Sequence, residues 1–230
     1  MTEIDLIIFD CDGVLVDSEY LAAQVNSQLL TEVGHPISPE ELSSQYAGLV
    51  FVDILKEIER ETNTPIPASI IDRVADVFRQ RMETELQSID DVRDAVTAIS
   101  KNYPYCICSN STKANIERML TLVGLYDLFE GKIFSASEVG TKKVKPAPDV
   151  YLFAAQTMKA RPRNTIVIED SIHGVHGATA AGMRVIGFTG GSHAYSGLAD
   201  ALTEAGAQTV ISRHKDLPAV IHAMAEWNDI

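Results

Sequence analysis

The chain has no run approaching the roughly 18 consecutive apolar residues that a membrane-spanning helix needs, so nothing in it reads as a span. Positive charge is also scarce. Lys and Arg number 19 against 32 Asp and Glu, a formal net charge of −13. That balance argues against nucleic acid, which needs a basic footprint, and against anionic membrane surfaces. A small anionic substrate stays open, because one metal ion and one lysine can reverse the field locally. There are only three cysteines, Cys11, Cys106 and Cys108. Cys106 and Cys108 share one face of a strand-like run and point in parallel, a geometry unsuited to a disulfide. An odd count without framework spacing fits a reducing compartment and small buried thiols. The acidic start, Met1-Thr2-Glu3-Ile4-Asp5, lacks the basic region of an export leader, and the expectation is a cytoplasmic protein.

What the chain does have is an alternation of short apolar runs and helical patterns. Residues 6–9, 105–108, 166–168, 185–188 and 210–211 read as buried strands, and 133–134 as a weaker one. Val92, Val96 and Ile99, and then Ile116, Leu120 and Val123, mark helices between them, the second closed by Gly124. Such alternation implies an α/β fold, a Rossmann-like doubly wound parallel sheet covered on both faces. Residues 18–87 break the pattern. They hold no strand candidate, a capping box at Ser38-Pro39-Glu40-Glu41, and helical faces at Leu21/Val25/Leu29, Phe51/Ile54/Leu55/Ile58 and Ile70/Val74/Val77/Phe78. The expected layout is a core of residues 1–17 and 88–230 carrying an inserted all-helical domain of about four helices at 18–87.

In an open parallel sheet, ligands bind beyond the carboxyl ends of the strands. Three candidate strands end there in polar residues: Asp10-Cys11-Asp12, Ser109-Asn110-Ser111 and Glu169-Asp170-Ser171. Between the second and third lies Lys145-Pro146-Ala147-Pro148. Two carboxylates two residues apart raise each other's pKa, and clustered carboxylates tolerate one another around a hard divalent cation. Mg²⁺ takes one or two carboxylates and substrate phosphate oxygens, while lysine and hydroxyl supply further donors. The combination suits phosphoryl transfer.

With these residues assembled, the chain resembles the haloacid dehalogenase superfamily. It has D-x-D-G-V-L-V-D-S from Asp10 to Ser18, an apolar strand ending in Ser109, K-P-x-P at Lys145 and E-D-S-x-x-G-V from Glu169 to Val175, in family order and spacing. The resemblance spans nearly the whole chain and makes the helical insert a cap. It implies that Asp10 is a nucleophile forming an aspartyl-phosphate, and that Asp12 is first general acid and then general base. It implies Mg²⁺ held by the Asp10 and Asp170 side chains and the Asp12 backbone carbonyl, with Glu169 ligating directly or through water. Ser109 and Lys145 would hold the phosphate, assisted by Asn110.

Other features carry plainer readings. Asp17 and Ser18 read as an N-cap for the following helix, His173 and His176 as exposed or packing residues, and Cys11 as a buried structural thiol. Within the family, dehalogenases lack the second aspartate that Asp12 supplies. The phosphonate hydrolases use an early cap lysine, whereas the first lysine here is Lys56. The phosphosugar mutases carry a histidine and an arginine where this chain has Ala22 and Leu49-Val50-Phe51. The expected activity is therefore a Mg²⁺-dependent phosphatase, a phosphoric monoester hydrolase acting on a small phosphorylated metabolite. A sugar phosphate or a sugar acid such as 6-phosphogluconate is the expected substrate. A phosphosugar mutase is the alternative, and a non-catalytic phosphometabolite- or protein-binding relative a third reading. Gly48, Leu49, Val50 and Phe51 are the expected substrate-facing loop, with Arg79 and Arg81 as candidates for a charged substrate tail. The two crossings into the cap, near 16–19 and 87–91, should be hinges. A monomer is expected.

Overall fold

The computed structural model describes residues 3–46, 49 and 51–226. Six parallel strands build one sheet: β1 (Leu6–Phe9), β2 (Tyr105–Ser109), β3 (Ile133–Ser135), β4 (Thr165–Glu169), β5 (Arg184–Phe188) and β6 (Thr209–Ile211). Their spatial order is β3-β2-β1-β4-β5-β6. Every strand run read from the sequence is present, including the weak one at 133–134. β1 lies centrally, with Ile8 opposite Cys106 on one side and Val167 on the other. The order reverses between β1 and β4, which is where such sheets open a crevice for ligands.

The strands are apolar on both faces because both are covered. Ile7, Phe9, Ile107, Ile168 and Phe188 pack into one layer with α5 (Val92–Ser100), α6 (Lys113–Leu122) and α11 (Leu217–Glu226). Leu6, Ile8, Cys106, Cys108 and Val185 pack into the other with α8 (Asp149–Thr157), α9 (Ile172–Ala180) and α10 (Leu198–Ala205). The short α7 (Tyr126–Phe129) and α10 were not legible as separate helices. All three cysteines are buried and unpaired.

Between β1 and α5 stand four helices among the described residues: α1 (Ser18–Glu32), α2 (Pro39–Gln45), α3 (Phe51–Thr62) and α4 (Ser69–Glu85). The capping box is formed, with the Ser38 hydroxyl accepting from Glu41 N–H and the Glu41 carboxylate from Ser38 N–H. Leu29, Leu30, Leu55, Ile58 and Ile70 belong to a hydrophobic cluster separate from the two that flank the sheet. The two crossings are paired with each other: Asp17 N–H donates to Gln87 O at 3.0 Å and Ile89 N–H to Leu15 O at 3.1 Å. The chain thus leaves and re-enters the sheet domain through a two-stranded ribbon.

Two features fix β1 in place. Phe129 is fully buried and meets Phe9 and Tyr105 edge-on, at centroid distances of 6.0 and 5.5 Å. Ahead of β1, Asp5 takes the Arg161 guanidinium at 2.7 and 2.9 Å and the Arg161 N–H at 3.0 Å, tying the strand to the segment leading into β4. Truncation in the form Phe129→Ala should cost about 3–5 kcal/mol, read as a lower urea midpoint at unchanged slope; a loss within 0.5 kcal/mol, roughly the scale of neutral surface changes, would contradict this role. The Arg161 bonds hold the Asp5 carboxyl well below the usual carboxylate range. A depressed pKa contributes stability that is complete above the unfolded value near 3.9 and is lost as pH falls through the folded one. The stability gap between wild type and Asp5→Asn should therefore be constant above about pH 5 and shrink steadily below about pH 4. Urea titrations at pH 7 and pH 3 would show it, and an equal gap at both would refute it.

Candidate active site

The carboxyl ends of β1, β2 and β4 meet at the floor of a cavity of about 650 Å³. Its roof is the helical insert, through α1, α2 and the start of α3. Residues that the sequence placed at the three tips, and the lysine between them, are brought together here: Asp10, Asp12, Ser109, Asn110, Lys145 and Asp170 all line it. Glu169 lies just beneath, fully buried.

Lys145 is the centre of the floor. Its ammonium is almost wholly buried and donates to Asp10 Oδ1 at 2.8 Å and to Glu169 Oε1 at 2.5 Å. Burial works against the cation, but the two carboxylates outweigh it and hold the lysine protonated. The prolines of Lys145-Pro146-Ala147-Pro148 lead directly into α8, and Asn110 Oδ1 accepts the Lys145 N–H at 2.8 Å. Asn110 therefore fixes the lysine loop through its carbonyl oxygen. Glu169 is saturated: Oε1 also accepts from Tyr151 Oη at 3.0 Å, and Oε2 from Ser171 N and Oγ at 3.1 and 2.9 Å. Its room is made by Gly174, where a Cβ would lie 1.9 Å from the carboxylate.

Asp12 has a different set of partners. Its Oδ1 accepts from Ser18 Oγ at 2.7 Å, and its Oδ2 from Ser109 Oγ at 3.1 Å and Ser111 Oγ at 2.9 Å. Asp10 and Asp12 share no donor, because the chain turns at once after Asp12: Gly13 N–H donates to Val16 O at 2.8 Å. Gly13 has φ +73°, and a Cβ there would sit 2.0 Å from Asp170 Oδ2. Glycine lets the turn lie directly against Asp170 at the tip of β4.

Asp10, Glu169 and Asp170 each offer an oxygen within 4.8 Å of the others, and all three are buried. Burial pushes the Asp10 carboxyl well above the usual range; Lys145 opposes this, while Glu169, Asp170 and Asp12 add to it. The three carboxylates of Asp10, Glu169 and Asp170, beside one permanent cation, form a hard, all-oxygen donor set of the kind a divalent metal ion takes. Asp10 and Asp170 fit that role directly. Glu169, with both oxygens already engaged, fits better as the anchor of Lys145.

The structure also supplies residues that the sequence reading passed over. His193 Nε2 lies 2.9 Å from Asp170 Oδ2. Burial works against its charged form, but the Asp170 bond and charge outweigh this and raise its pKa. It follows β5 in the run Thr189-Gly190-Gly191-Ser192-His193, so looking for polar residues beyond that strand's carboxyl end would have found it. Glu19, an exposed residue in the first turn of α1, opens onto the cavity; crowding by its neighbours, then the charges of Asp12 and Asp170, push its carboxyl up. Tyr151, which donates to Glu169, likewise acts through a contact invisible in one dimension.

Several expectations need correction. Neither Asp17 nor Ser18 caps α1 with its side chain. Ser18 holds Asp12, and Asp17 Oδ1 accepts the Ser192 N–H at 2.9 Å, bracing the His193 loop. Arg79 and Arg81 stay outside the cavity lining. Arg79 pairs with Asp76, while Arg81 pairs with Glu85 and bonds Gln24. Of the expected substrate-facing loop, Leu49 lines the cavity, Phe51 packs against the insert's own core, and Gly48 and Val50 lie outside the described residues. His173 is exposed at the cavity wall and His176 is exposed on α9.

Comparison with known proteins places this geometry. The profile of the haloacid dehalogenase-like hydrolases matches residues 7–188. A solved haloacid dehalogenase-like protein of unknown function from Agrobacterium tumefaciens is 52% identical, with a TM-score of 0.93 over 97% of this chain and 100% of that one. A haloacid dehalogenase family hydrolase from Deinococcus radiodurans, solved with bound phosphate and sodium, is 31% identical, with a TM-score of 0.87 over 98% and 97% of the two chains. Among curated proteins, the 6-phosphogluconate phosphatase of Escherichia coli is 28% identical over 84% of this chain and 86% of its own length. Hexitol phosphatase B of the same species is 29% identical over 78% and 81%.

The Gly13 turn carries a direct test. A side chain there must displace Asp170, so Gly13→Ala should weaken Mg²⁺ or Mn²⁺ binding by about 10–100-fold in calorimetric titration of folded protein. Unchanged affinity would show that Asp170 is not held by this turn.

Proposed function

The chain belongs to the haloacid dehalogenase-like hydrolase family, and on that premise we propose that it is a Mg²⁺-dependent phosphatase of a small phosphorylated metabolite, a sugar phosphate by preference, working through an aspartyl-phosphate. The observation that carries this reading is the separation of the two aspartates. Asp10 is held against a buried lysine, while Asp12 sits two residues away among three hydroxyls in the same cavity. Two carboxylates in different surroundings can take different roles.

In the proposed reaction the Asp10 carboxylate attacks phosphorus and the bond to the ester oxygen breaks. Asp12 gives its proton to that leaving oxygen. Asp12, now ionised, removes a proton from water as the water attacks the aspartyl-phosphate, releasing phosphate and restoring Asp10. Lys145 and the Ser109 hydroxyl balance the charge of the phosphoryl oxygens, with Asn110 holding the lysine loop. Asp10, Asp170 and the Asp12 carbonyl would hold Mg²⁺, which when bound neutralises phosphate charge and keeps the attack in line. The helical insert roofs the site and moves on the paired ribbon at 15–17 and 87–89, closing water out during the first step. Ala22 and Leu49 face the cavity at the places where the family's mutases use basic residues, which favours hydrolysis over phosphoryl return. No helix among the described residues is long and apolar enough to cross a membrane.

Phosphate release from a panel of sugar phosphates is the test. Release should require Mg²⁺ and stop with EDTA. Asp10→Asn should abolish it, and Asp12→Asn should lower kcat by about 10²–10⁴-fold. Full activity in Asp10→Asn would refute the covalent route.

A further inference from the structure

Resting on the phosphatase reading, we propose that the alcohol released is an uncharged polyol or sugar, and that a leaving group bearing its own carboxylate or second phosphate is selected against. Residues 18–87 contain five Lys and Arg side chains, and each is spent on a carboxylate of the insert itself. Lys56 pairs with Asp53, Arg60 with Glu57, Arg73 with Glu32, Arg79 with Asp76 and Arg81 with Glu85. None of them lines the cavity. Ala47, Gly48 and Val50, which lie outside the described residues, carry no charge. Among the described residues Lys145 is therefore the cavity's only permanent cation, and Asp10 and Glu169 already hold it at the floor.

What the roof offers instead is neutral or acidic. The Asn26 amide and the Ser43 hydroxyl face the cavity without a hydrogen-bond partner among the described residues, and Glu19 presents a carboxyl group there. Tyr46 contributes only its ring, since its hydroxyl donates to Glu61 at 2.8 Å. Amide, hydroxyl and carboxyl groups bind substrate hydroxyls well. A substrate carboxylate enclosed in the same place would lack a counter-ion and lie near Glu19, an arrangement that costs affinity. Two imidazoles complete the basic groups on the wall. His193 is committed to Asp170, and His173 stands on the floor side, at the start of α9.

A matched pair of substrates tests the idea: glucitol 6-phosphate and gluconate 6-phosphate differ only in a hydroxymethyl against a carboxylate at C1. With p-nitrophenyl phosphate reporting the chemistry alone, kcat/KM should favour the hexitol ester by at least about tenfold. Glu19→Gln should narrow that ratio severalfold, by removing the repelling carboxylate. Leu49→Arg should narrow it further, by placing a cation on the roof. Equal or better turnover of the gluconate ester by the wild type overturns the inference and leaves the phosphatase reading standing. If that turnover falls in His173→Gln, His173 is the missing counter-ion. No release from any of the three esters, with Mg²⁺ present and the protein folded, overturns both.

Discussion

A buried ammonium is tolerable only beside opposite charge, and Lys145 sets the terms for everything around it. Its two carboxylate partners come from different strands, Asp10 beyond β1 and Glu169 at the end of β4. Removing the lysine would leave two carboxylates out of water without compensation, which costs several kcal/mol in comparable buried pairs. Glu169 must therefore be held, and Tyr151 of α8 and the Ser171 loop hold it. Gly174 is bare so that the carboxylate fits. One lysine paired with two carboxylates thus couples two central strands, the loop before α8 and the start of α9.

That arrangement also separates the two aspartates of the first motif. Asp10 faces inward to the lysine, where burial and neighbouring carboxylates act on it. Asp12 faces hydroxyl donors and the cavity. Adjacent carboxylates with the same surroundings could only repel one another. Placed in different surroundings, one can stay a nucleophile while the other exchanges a proton. The Gly13 turn makes the separation possible within two residues and lets Asp170 lie alongside.

The insert adds a second constraint, through what it withholds. Its cations are turned to its own acids, and the face left over the cavity is largely apolar, with a few polar groups. Substrate choice then depends on a few groups, Glu19, Asn26 and Ser43, rather than on a charged clamp. The ribbon joining insert and sheet domain is short and internally hydrogen-bonded, which suits a rigid-body movement of the roof.

By itself the sequence determined the parallel sheet, the helical insert, and the tips bearing Asp10, Asp12, Ser109, Lys145, Glu169 and Asp170. Those signals are local: apolar runs, caps, and polar residues at strand ends follow from backbone periodicity and need no knowledge of neighbours. The partners were decided only in three dimensions. Ser18 and Asp17 look like a helix cap in one dimension, yet they brace Asp12 and the His193 loop, because the turn at Gly13 brings residues 175 positions apart within 2.9 Å. Arg79 and Arg81 look available to a substrate, yet helical spacing delivers Asp76 and Glu85 to them first. Which polar group meets which is set by how the layers pack, and a side chain with several suitors takes the one that packing presents at hydrogen-bond distance.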